Sequence, residues 1–471
     1  MSKVKSKLKN YIGTKAFYKT AFAIIIPVVI QQMILSIAGF VDNFMINGYS
    51  VNAYAGVSTA NRFMFIVNFF WIGLTAAISI FVSQYYGAKD KKNIIGTFQL
   101  GLLLAVTVSL ISTVVIIFTG PLLIKSFLPL DEPNQLASVQ FGIDYVTVIG
   151  YGAIFFLLPF MISVFFRSTG RPKVPLVAGI IGIIVNVSLN YVLIYGHFGF
   201  PEMGATGAAL ATVISKIVEL VVLIIFAVFF SNEKYVREIF KKPVITGRLV
   251  SMYFKKGIPI IANEVLWAFG MVLFAKYITS GVYEWVTAYG YSQTATDIFF
   301  VYYSGMGTAS GILIGQALGE NDFEKAKDHL KKLRGIMMIT NIVVIILIAT
   351  LSPAILLFLT PINDLYWLAY KIILVNLIFI IIYGYNAVSY YALRAGGDTV
   401  RSFLVDQLPT YLVGVPTVMI LSKFRHELHI DILIIFLASK ASDIFKLYLS
   451  ISFIKKGVWL KNLTIDDLET A

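Results

Sequence analysis

The chain has 471 residues, of which 58% are hydrophobic and only 13% charged, and its formal net charge is +13. Soluble domains carry about 25% charged residues, so this composition excludes an ordinary soluble protein and indicates contact with lipid. The absence of Cys excludes disulfides and thiolate metal sites.

Long apolar segments recur along the whole chain and predict twelve transmembrane helices. About 20 apolar residues cross a bilayer, and helices are expected because hydrocarbon offers no partner to unpaired backbone groups. In chain order the predicted helices are 21–46, 53–84, 94–118, 138–165, 173–195, 204–229, 255–280, 286–316, 333–358, 368–392, 401–421 and 431–454.

The Lys and Arg residues predict the orientation of these helices. Of the 38 basic residues, 29 lie in the two termini and in alternate connections, whereas the other connections hold only Lys125, Lys423 and Arg425. Cytoplasmic connections carry such a positive excess. We therefore expect a multi-pass protein of the cell membrane with both termini cytoplasmic, and no nucleic-acid partner.

An internal repeat relates the two halves of the chain. A shift of 232 residues places Pro27 on Pro259 and "SQYYGAKDKKN" over "GQALGENDFEK", and a shift of 227 places Arg167 on Arg394. Because six helices separate the copies, both enter the membrane in the same direction. This predicts an all-α protein with two six-helix lobes, related by a pseudo-twofold axis along the membrane normal, around a central cavity.

The predicted organisation follows from these two patterns. In chain order it is a basic cytoplasmic N-terminus (1–20), an N-lobe (21–229), a cytoplasmic linker (230–254), a C-lobe (255–454) and a cytoplasmic C-terminus (455–471). The stretches "RSTGRP" and "RAGGDT" at repeat-related positions are predicted to be architectural turns at helix ends, where Gly permits tight geometry.

Several stretches resemble the multidrug and toxic compound extrusion (MATE) family. They are "IPVVIQQMILSIAGFVDNFMINGYS", "FVSQYYGAKD", "FRSTGRPKVPLVAGIIGIIVNVSLNYVLIYG", "GFPEMGATGAALATVISK" and, in the second half, "LRAGGD". The resemblance spans nearly the whole chain. It implies a transporter rather than an enzyme, without cofactor, that exports organic compounds by alternating access, driven by inward flow of protons or sodium ions.

The chain departs from the family pattern at two positions. Many bacterial members have Asp in the fifth helix where this chain has Asn190, and a sodium-coupled branch has Asp in the tenth helix where this chain has Tyr383. Glu264 in the seventh helix does match that branch. The resemblance therefore implies a coupling ion without selecting between H⁺ and Na⁺.

Asp42 is the only formal charge from Ala21 to Ile46. A charge at the bilayer centre costs about 3 kcal/mol on insertion scales, which exceeds the roughly 1 kcal/mol that a surface ion pair returns. Asp42 is therefore predicted to bind a proton or cation, and the resemblance adds Asn186 and Asn190. The alternative is a structural ion pair between Asp42 and Arg62.

Glu264 and Asp297 are predicted to approach the middle of the C-lobe from opposite sides of the membrane. With Gln293 they could supply oxygen ligands for a hard cation such as sodium, or a counter-charge for a cationic substrate. The alternatives are two carboxyls that share one proton, or an ion pair with Lys276. No other metal site is predicted.

Two helices carry charged residues at i,i+3 spacing, where opposite charges meet on one face. Lys216 and Glu219 lie in helix six, and Lys440, Asp443 and Lys446 lie in helix twelve. We expect both sets to neutralise themselves. The alternative places Lys440 in the cavity, where it would favour anionic or peptidic cargo.

Further polar side chains within the predicted transmembrane helices are predicted to line the substrate cavity. Such side chains also form hydrogen bonds between helices. They are Gln31, Gln32, Asn61, Asn263, Gln293, Tyr383 and Asn386.

The predicted function is export of small organic compounds, amphipathic and often cationic, by a monomer in the lipid bilayer. One alternative is a flippase or exporter for lipid-linked precursors or polysaccharides, which should have an Arg-lined cavity. Others are a dedicated metabolite or peptide exporter and a member of the other large twelve-helix transporter class. An intramembrane enzyme is disfavoured because all four His lie in predicted loops.

Overall fold

The structure is a computed structural model that describes residues 11–127, 133–229, 238 and 243–465. Every regular element in this part of the chain is helical, which confirms the predicted all-α class. Parts of the predicted N-terminus, linker and C-terminus lie outside the described residues, at 1–10, 230–237, 239–242 and 466–471.

Fifteen α-helices of the described chain are numbered here in order. They are α1 (Lys15–Tyr49), α2 (Val51–Gly87), α3 (Lys91–Phe127), α4 (Pro133–Tyr151), α5 (Ala153–Ser168), α6 (Lys173–Tyr195), α7 (Gly204–Phe229), α8 (Gly247–Thr279), α9 (Tyr283–Gly319), α10 (Phe323–Leu359), α11 (Asp364–Ala395), α12 (Thr399–Pro409), α13 (Val415–Lys423), α14 (Ile432–Ser439) and α15 (Ala441–Lys455). A π-helical turn, Thr410–Gly414, joins α12 to α13.

Each predicted transmembrane segment falls on one of these helices or on a broken pair of them. Within the described residues, nine helical stretches are long and apolar enough to cross a membrane, and two bent stretches raise the number to eleven. The bends are 53° between α4 and α5, and 50° within α9 between Asp297 and Phe299. The predicted twelfth helix is split into α14 and α15.

Whereas α6 and α7 have the predicted bounds, most of the observed helices extend beyond their predicted ends. For example, α2 has 37 residues, which at 1.5 Å per residue gives about 55 Å, whereas the hydrocarbon core is only about 30 Å thick. Hydropathy detects the part in lipid, and polar residues continue the helix beyond it.

Two compact units contain the described helices. The N-unit comprises Ile26–Val82 and Asp90–Phe254, and the C-unit comprises Ser83–Lys89, Lys255–Ala471 and Met1–Ile25 as far as these segments are described. The short segment at the end of α2 therefore packs with the C-unit, although the rest of α2 belongs to the N-unit.

The stretches "RSTGRP" and "RAGGDT" end α5 and α11 with one and the same turn. Gly170 and Gly397 have φ of +76° and +71°, a conformation that favours glycine. The N–H of the next residue donates to the carbonyl five residues earlier, at 2.8 and 3.0 Å, which is the Schellman pattern. The predicted architectural turns are confirmed, and Arg167 and Arg394 occupy the same place in each.

Glycines allow a close approach between the ends of α2 and α9 in the C-unit. A Cβ on Gly87 would lie 2.0 Å from the carbonyl oxygen of Gln316, and a Cβ on Gly319 would lie 1.9 Å from that of Gln84. The two contacts are reciprocal because both glycines are related by the 232-residue shift. Any side chain at either position would force these helix ends apart.

The segment Gly457–Ile465, named the strap, fastens several helix ends of the C-unit. Trp459 and Leu463 are 2% and 6% exposed. The N–H of Leu463 donates to Oε1 of Gln84 at 2.7 Å, and Nε2 of Gln84 donates to the carbonyl of Ala395 at 2.6 Å. One glutamine thus links the ends of α2 and α11 to the strap.

Candidate functional site

Asp42 lies on α1 of the N-unit and contacts the polar face of α6. Nδ2 of Asn190 donates to Oδ1 of Asp42 at 2.5 Å. One turn earlier on α6, Asn186 accepts a weak bond from the same Nδ2 at 3.5 Å and donates to Oγ1 of Thr212 on α7 at 3.3 Å. The structure therefore brings together Asp42, Asn186 and Asn190, the three N-lobe residues predicted to couple ions.

The neighbours of Asp42 leave its negative charge without a fixed counter-charge. Arg62 has an exposed side chain, and the ion pairs between described residues do not include one from Asp42 to Arg62, so the structural alternative is wrong. Oδ1 of Asn190 is buried and has no hydrogen-bond partner among the described residues. A carboxylate beside a vacant amide oxygen is suited to accept a proton or a hard cation.

Lys216 and Glu219 form an ion pair on α7, with 2.7 Å between Nζ and Oε2. Glu219 is 6% exposed. The predicted neutralisation within helix six is confirmed. Its cause is the i,i+3 spacing, which places both side chains on one face of the helix.

Gln31 is buried, with 4% of its surface exposed. Its Oε1 accepts a bond from Nη1 of Arg167 at 2.8 Å, and its Nε2 donates to the carbonyl of Pro175 at 3.4 Å. Gln31, which was predicted to line the cavity, links the end of α5 to the start of α6. Gln32 and Asn61, with the same predicted role, are half-buried.

Glu264 on α8 forms an ion pair with Arg394 at the end of α11, with 2.7 Å between Oε1 and Nη1. The guanidinium group of Arg394 also lies over the rings of Tyr390 and Tyr391, at 4.8 and 5.3 Å. The alternative of an ion pair with Lys276 is wrong, since Glu264 pairs with Arg394 and the ammonium group of Lys276 lies over the ring of an adjacent tyrosine. Arg394 was predicted only as part of a turn, and its role as a counter-charge was missed.

The other members of the predicted sodium site lie on α9. Asp297 is exposed and Gln293 half-buried, and Asp297 borders the bend in that helix. The carboxylate of Glu264 is held by Arg394, so it is not free to join Asp297 as a metal ligand. Among the described residues, no group of three or more His, Asp or Glu could hold a metal ion.

Asp406 on α12 is the residue that sequence reasoning missed in the C-unit. Its Oδ1 lies 2.7 Å from Nζ of Lys446 on α15. Its Oδ2 accepts bonds at 3.0 Å from Nδ2 of Asn263 on α8 and from Nε2 of Gln407. The signal was available, because Asp406 is a carboxylate inside the predicted eleventh span.

The charged residues of the last helix therefore do not neutralise only one another. Lys446 pairs with Asp406 on another helix, and Nζ of Lys440 donates to Oδ1 of Asn376 at 2.9 Å. Asn386, a predicted cavity residue, donates to the backbone carbonyl of Asp443 at 3.1 Å. The reason is geometric, since a long Lys side chain can reach a neighbouring helix as well as a residue on its own helix.

Tyr383 occupies the position at which the sodium-coupled branch named in the sequence analysis has Asp. Its half-buried ring packs edge-on against those of Phe300 and Tyr303, with centroids 5.9 and 5.1 Å apart. The hydroxyl of Tyr303 donates to Oδ1 of Asn341 at 2.9 Å. The position thus belongs to an aromatic cluster.

One family model matches both halves of the internal repeat. The family model described as MatE matches residues 27–192 and 259–420, and the two matched segments begin at the same 232-residue offset as the internal repeat. The chain belongs to the MatE family. It is accordingly a membrane transporter and not an enzyme, as predicted.

Relatives of this MatE chain are multidrug resistance proteins. It is 27% identical over 414 residues to the probable multidrug resistance protein YoeA of Bacillus subtilis, covering 85% of this chain and 86% of that protein. It is 27% identical over 409 residues to the multidrug resistance protein NorM of Photobacterium profundum, covering 84% and 86%. A crystallised MATE in complex with MaL6 shares the fold, with a TM-score of 0.83, 17% identity and coverage of 95% and 99%.

Proposed function

We propose that this MatE transporter exports small organic compounds across the cell membrane in exchange for protons or sodium ions, with Asp42 as a coupling carboxylate. One observation carries the proposal. Asp42 accepts a hydrogen bond from the neutral amide of Asn190 and forms no ion pair among the described residues. A guanidinium or ammonium partner would hold the charge permanently, whereas an amide leaves it free to take up and release an ion.

The coupling step is proposed to be ion binding between Oδ1 of Asn190 and the carboxylate of Asp42. Asn186 on the same helix accepts a bond from the Asn190 side chain and is itself held by Thr212 of α7. When an ion neutralises Asp42, its bond to Asn190 weakens and α1 is released from α6. Pro27 is a place where α1 can bend, because proline removes one backbone hydrogen bond.

The membrane potential supplies enough energy for such an exchange. One charge that moves inward across 100 mV releases about 2.3 kcal/mol. Since about 1.4 kcal/mol corresponds to a factor of ten, this supports a gradient of nearly fiftyfold for an uncharged substrate exchanged for one ion. A monovalent cationic substrate exchanged one for one moves no net charge, so the concentration gradient of the ion drives its export. Both termini are proposed to be cytoplasmic, on the distribution of Lys and Arg described above.

Amphipathic and often cationic compounds are the proposed substrates. A second candidate, export of anionic or peptidic compounds, is favoured by Lys440 in the C-unit, whose ammonium group donates to the amide of Asn376 and forms no ion pair among the described residues. Glu264 and Asp297 are proposed as further contacts for a substrate or ion, reached when Glu264 leaves Arg394. Competition of anionic and cationic dyes for the same uptake distinguishes the two substrate classes.

The test is dye uptake into inside-out vesicles with a lumen-high sodium gradient and a lumen-acid gradient imposed separately. Dye uptake by the wild-type protein should depend on one of the two gradients, and it should be lost in Asp42→Asn at matched expression. Asp144→Asn is the matched control, because Asp144 also accepts a single amide bond, from Gln140 at 2.7 Å, but at an exposed site. If Asp42→Asn takes up dye at the wild-type rate, Asp42 is not the coupling carboxylate. If neither gradient changes the uptake by the wild-type protein, the protein does not work by antiport.

A further inference from the structure

We propose that Asp406, Gln407 and Asn263 form a second site for a small monovalent cation, and that the ammonium group of Lys446 occupies it in this structure. The inference deepens the proposed ion-coupled transport, on which it rests, and concerns the C-unit alone. It names Lys446 as a tethered competitor of the ion.

A shell of polar groups surrounds the carboxylate of Asp406. Both oxygens of Asp406 are engaged, one by Lys446 at 2.7 Å and the other by the amides of Asn263 and Gln407 at 3.0 Å each. Asn263 and Gln407 are each 2% exposed. The two amides donate their N–H groups to Asp406, so the oxygens open to a cation once Lys446 leaves are those of Asp406 and Oε1 of Gln407. Oxygen atoms are the ligands that hard cations prefer.

One buried amide oxygen of this cluster has no hydrogen-bond partner among the described residues. Oε1 of Gln407 is buried and accepts no hydrogen bond within the described chain. It lies at the cluster, because Nε2 of the same amide group is 3.0 Å from Oδ2 of Asp406. A buried acceptor without a donor is costly, and a cation bound beside Asp406 would supply what Oε1 lacks.

Lys446 has a second carboxylate within reach, that of Asp443 on its own helix. Asp443 precedes it by three residues on α15, so the two side chains share one face of that helix. When a cation binds at Asp406, Lys446 can move to Asp443 without leaving a buried charge unpaired. After the exchange each carboxylate has one positive partner, the cation at Asp406 and the ammonium group at Asp443, so the interior gains the one positive charge of the bound ion.

The local backbone is suited to such an exchange. The π-helical turn Thr410–Gly414 directly follows α12, which carries Asp406 and Gln407, and such turns within helices are frequent at functional sites. On the other side, α15 starts immediately after a break at Lys440. Small changes at these two breaks can move Lys446 relative to Asp406.

The test measures thermal unfolding of the full chain in lipid nanodiscs as NaCl replaces choline chloride at constant ionic strength. All proteins carry Asp42→Asn, so the result is independent of the site proposed in the N-unit. A ligand that binds the folded state raises its stability with concentration, which gives an apparent sodium affinity for each variant.

Removal of the competitor should tighten sodium binding. Lys446→Ala is expected to raise the apparent sodium affinity by about ten- to hundredfold, the range expected for losing one hydrogen bond to a charged group. Lys332→Ala is the control, because Lys332 is also paired with Asp and its side chain is 15% exposed, against 14% for Lys446. Lys446→Gln, which keeps a polar side chain beside Asp406, should shift the affinity in the same direction.

Removal of the carboxylate should abolish the response. Asp406→Asn and the double variant Asp406→Asn/Lys446→Ala should show no sodium dependence, and the double variant leaves no unpaired charge that would unfold the protein. A purely structural ion pair predicts a loss of stability without tighter sodium binding. The proposal is overturned if Lys446→Ala and Lys446→Gln bind sodium no tighter than Lys332→Ala, or if Asp406→Asn keeps the response.

Discussion

The ion pair between Glu264 and Arg394 is expected to contribute strongly to the stability of the C-unit. The side chains are 13% and 4% exposed, and Nη2 of Arg394 already lacks a partner among the described residues. Breaking a buried pair costs about 3–5 kcal/mol because the remaining charge is left uncompensated. Since two tyrosine rings still face the guanidinium group, Glu264→Gln should cost about 3 kcal/mol, the lower end of that range.

The corresponding assay is thermal unfolding of the purified protein in lipid. A loss of 3 kcal/mol lowers the melting temperature by about 6–12 °C, at about 2–4 °C per kcal/mol for a unit of this size. Arg394→Met should cost a similar amount, because it leaves Glu264 alone in the interior. Glu324→Gln is the control, since its pair with Lys327 is exposed and should be worth less than about 1 kcal/mol.

The double variant Glu264→Gln/Arg394→Met decides whether the pair itself is responsible. It removes both charges together, so its cost should be smaller than the sum of the single costs by about 2–3 kcal/mol, as for other residues in direct contact. Additive costs, within about 0.5 kcal/mol, would refute the reasoning and leave only local packing as the cause.

Three further predictions concern single residues. Asn190→Ala removes the one hydrogen bond that Asp42 accepts among the described residues, and we expect at least tenfold slower dye export at unchanged expression. Gly319→Ala should cost about 1–3 kcal/mol in thermal unfolding, the range for overpacking, because its Cβ would meet a backbone oxygen at 1.9 Å. On the same helix Gly290→Ala meets nothing within 4 Å and should stabilise by about 0.4–1 kcal/mol. Leu463→Ala in the strap should cost about 2–3 kcal/mol as a buried truncation, whereas Ile465→Ala, at a side chain 41% exposed, should change the melting temperature little.

The spans and the repeat could be predicted from the sequence because each rests on a property of single segments. Hydropathy reports whether a segment faces lipid or water, and the 232-residue shift preserves the residues that cap helices or allow their close approach. Asp90 and Asp322, for example, both cap the next helix by accepting a backbone N–H three residues later, at 3.1 and 2.9 Å. Most helix ends were placed inside the observed helix, for example residue 118 instead of Phe127 for α3, since helices continue into water where hydropathy no longer detects them.

The partners of the charged residues could not be predicted in the same way. Depth in the membrane places Arg62 level with Asp42, but it does not say which way a side chain points around its helix, and Arg62 points outward. Asp406 and its partner Asn263 are 143 residues apart, and no periodicity relates such distant positions. Arg394 was assigned to a turn alone, although one residue can both end a helix and neutralise a carboxylate.

The strap has a consequence for how the chain is made. The hydrogen bond between Gln84 and Leu463 joins residues 379 positions apart. At about 5–20 residues per second, the ribosome supplies the second partner about 20–75 s after the first. Gln84 therefore waits through the synthesis of thirteen later helices before its bond can close, and a polypeptide halted before residue 457 could not tie the end of α2 to that of α11 through the strap.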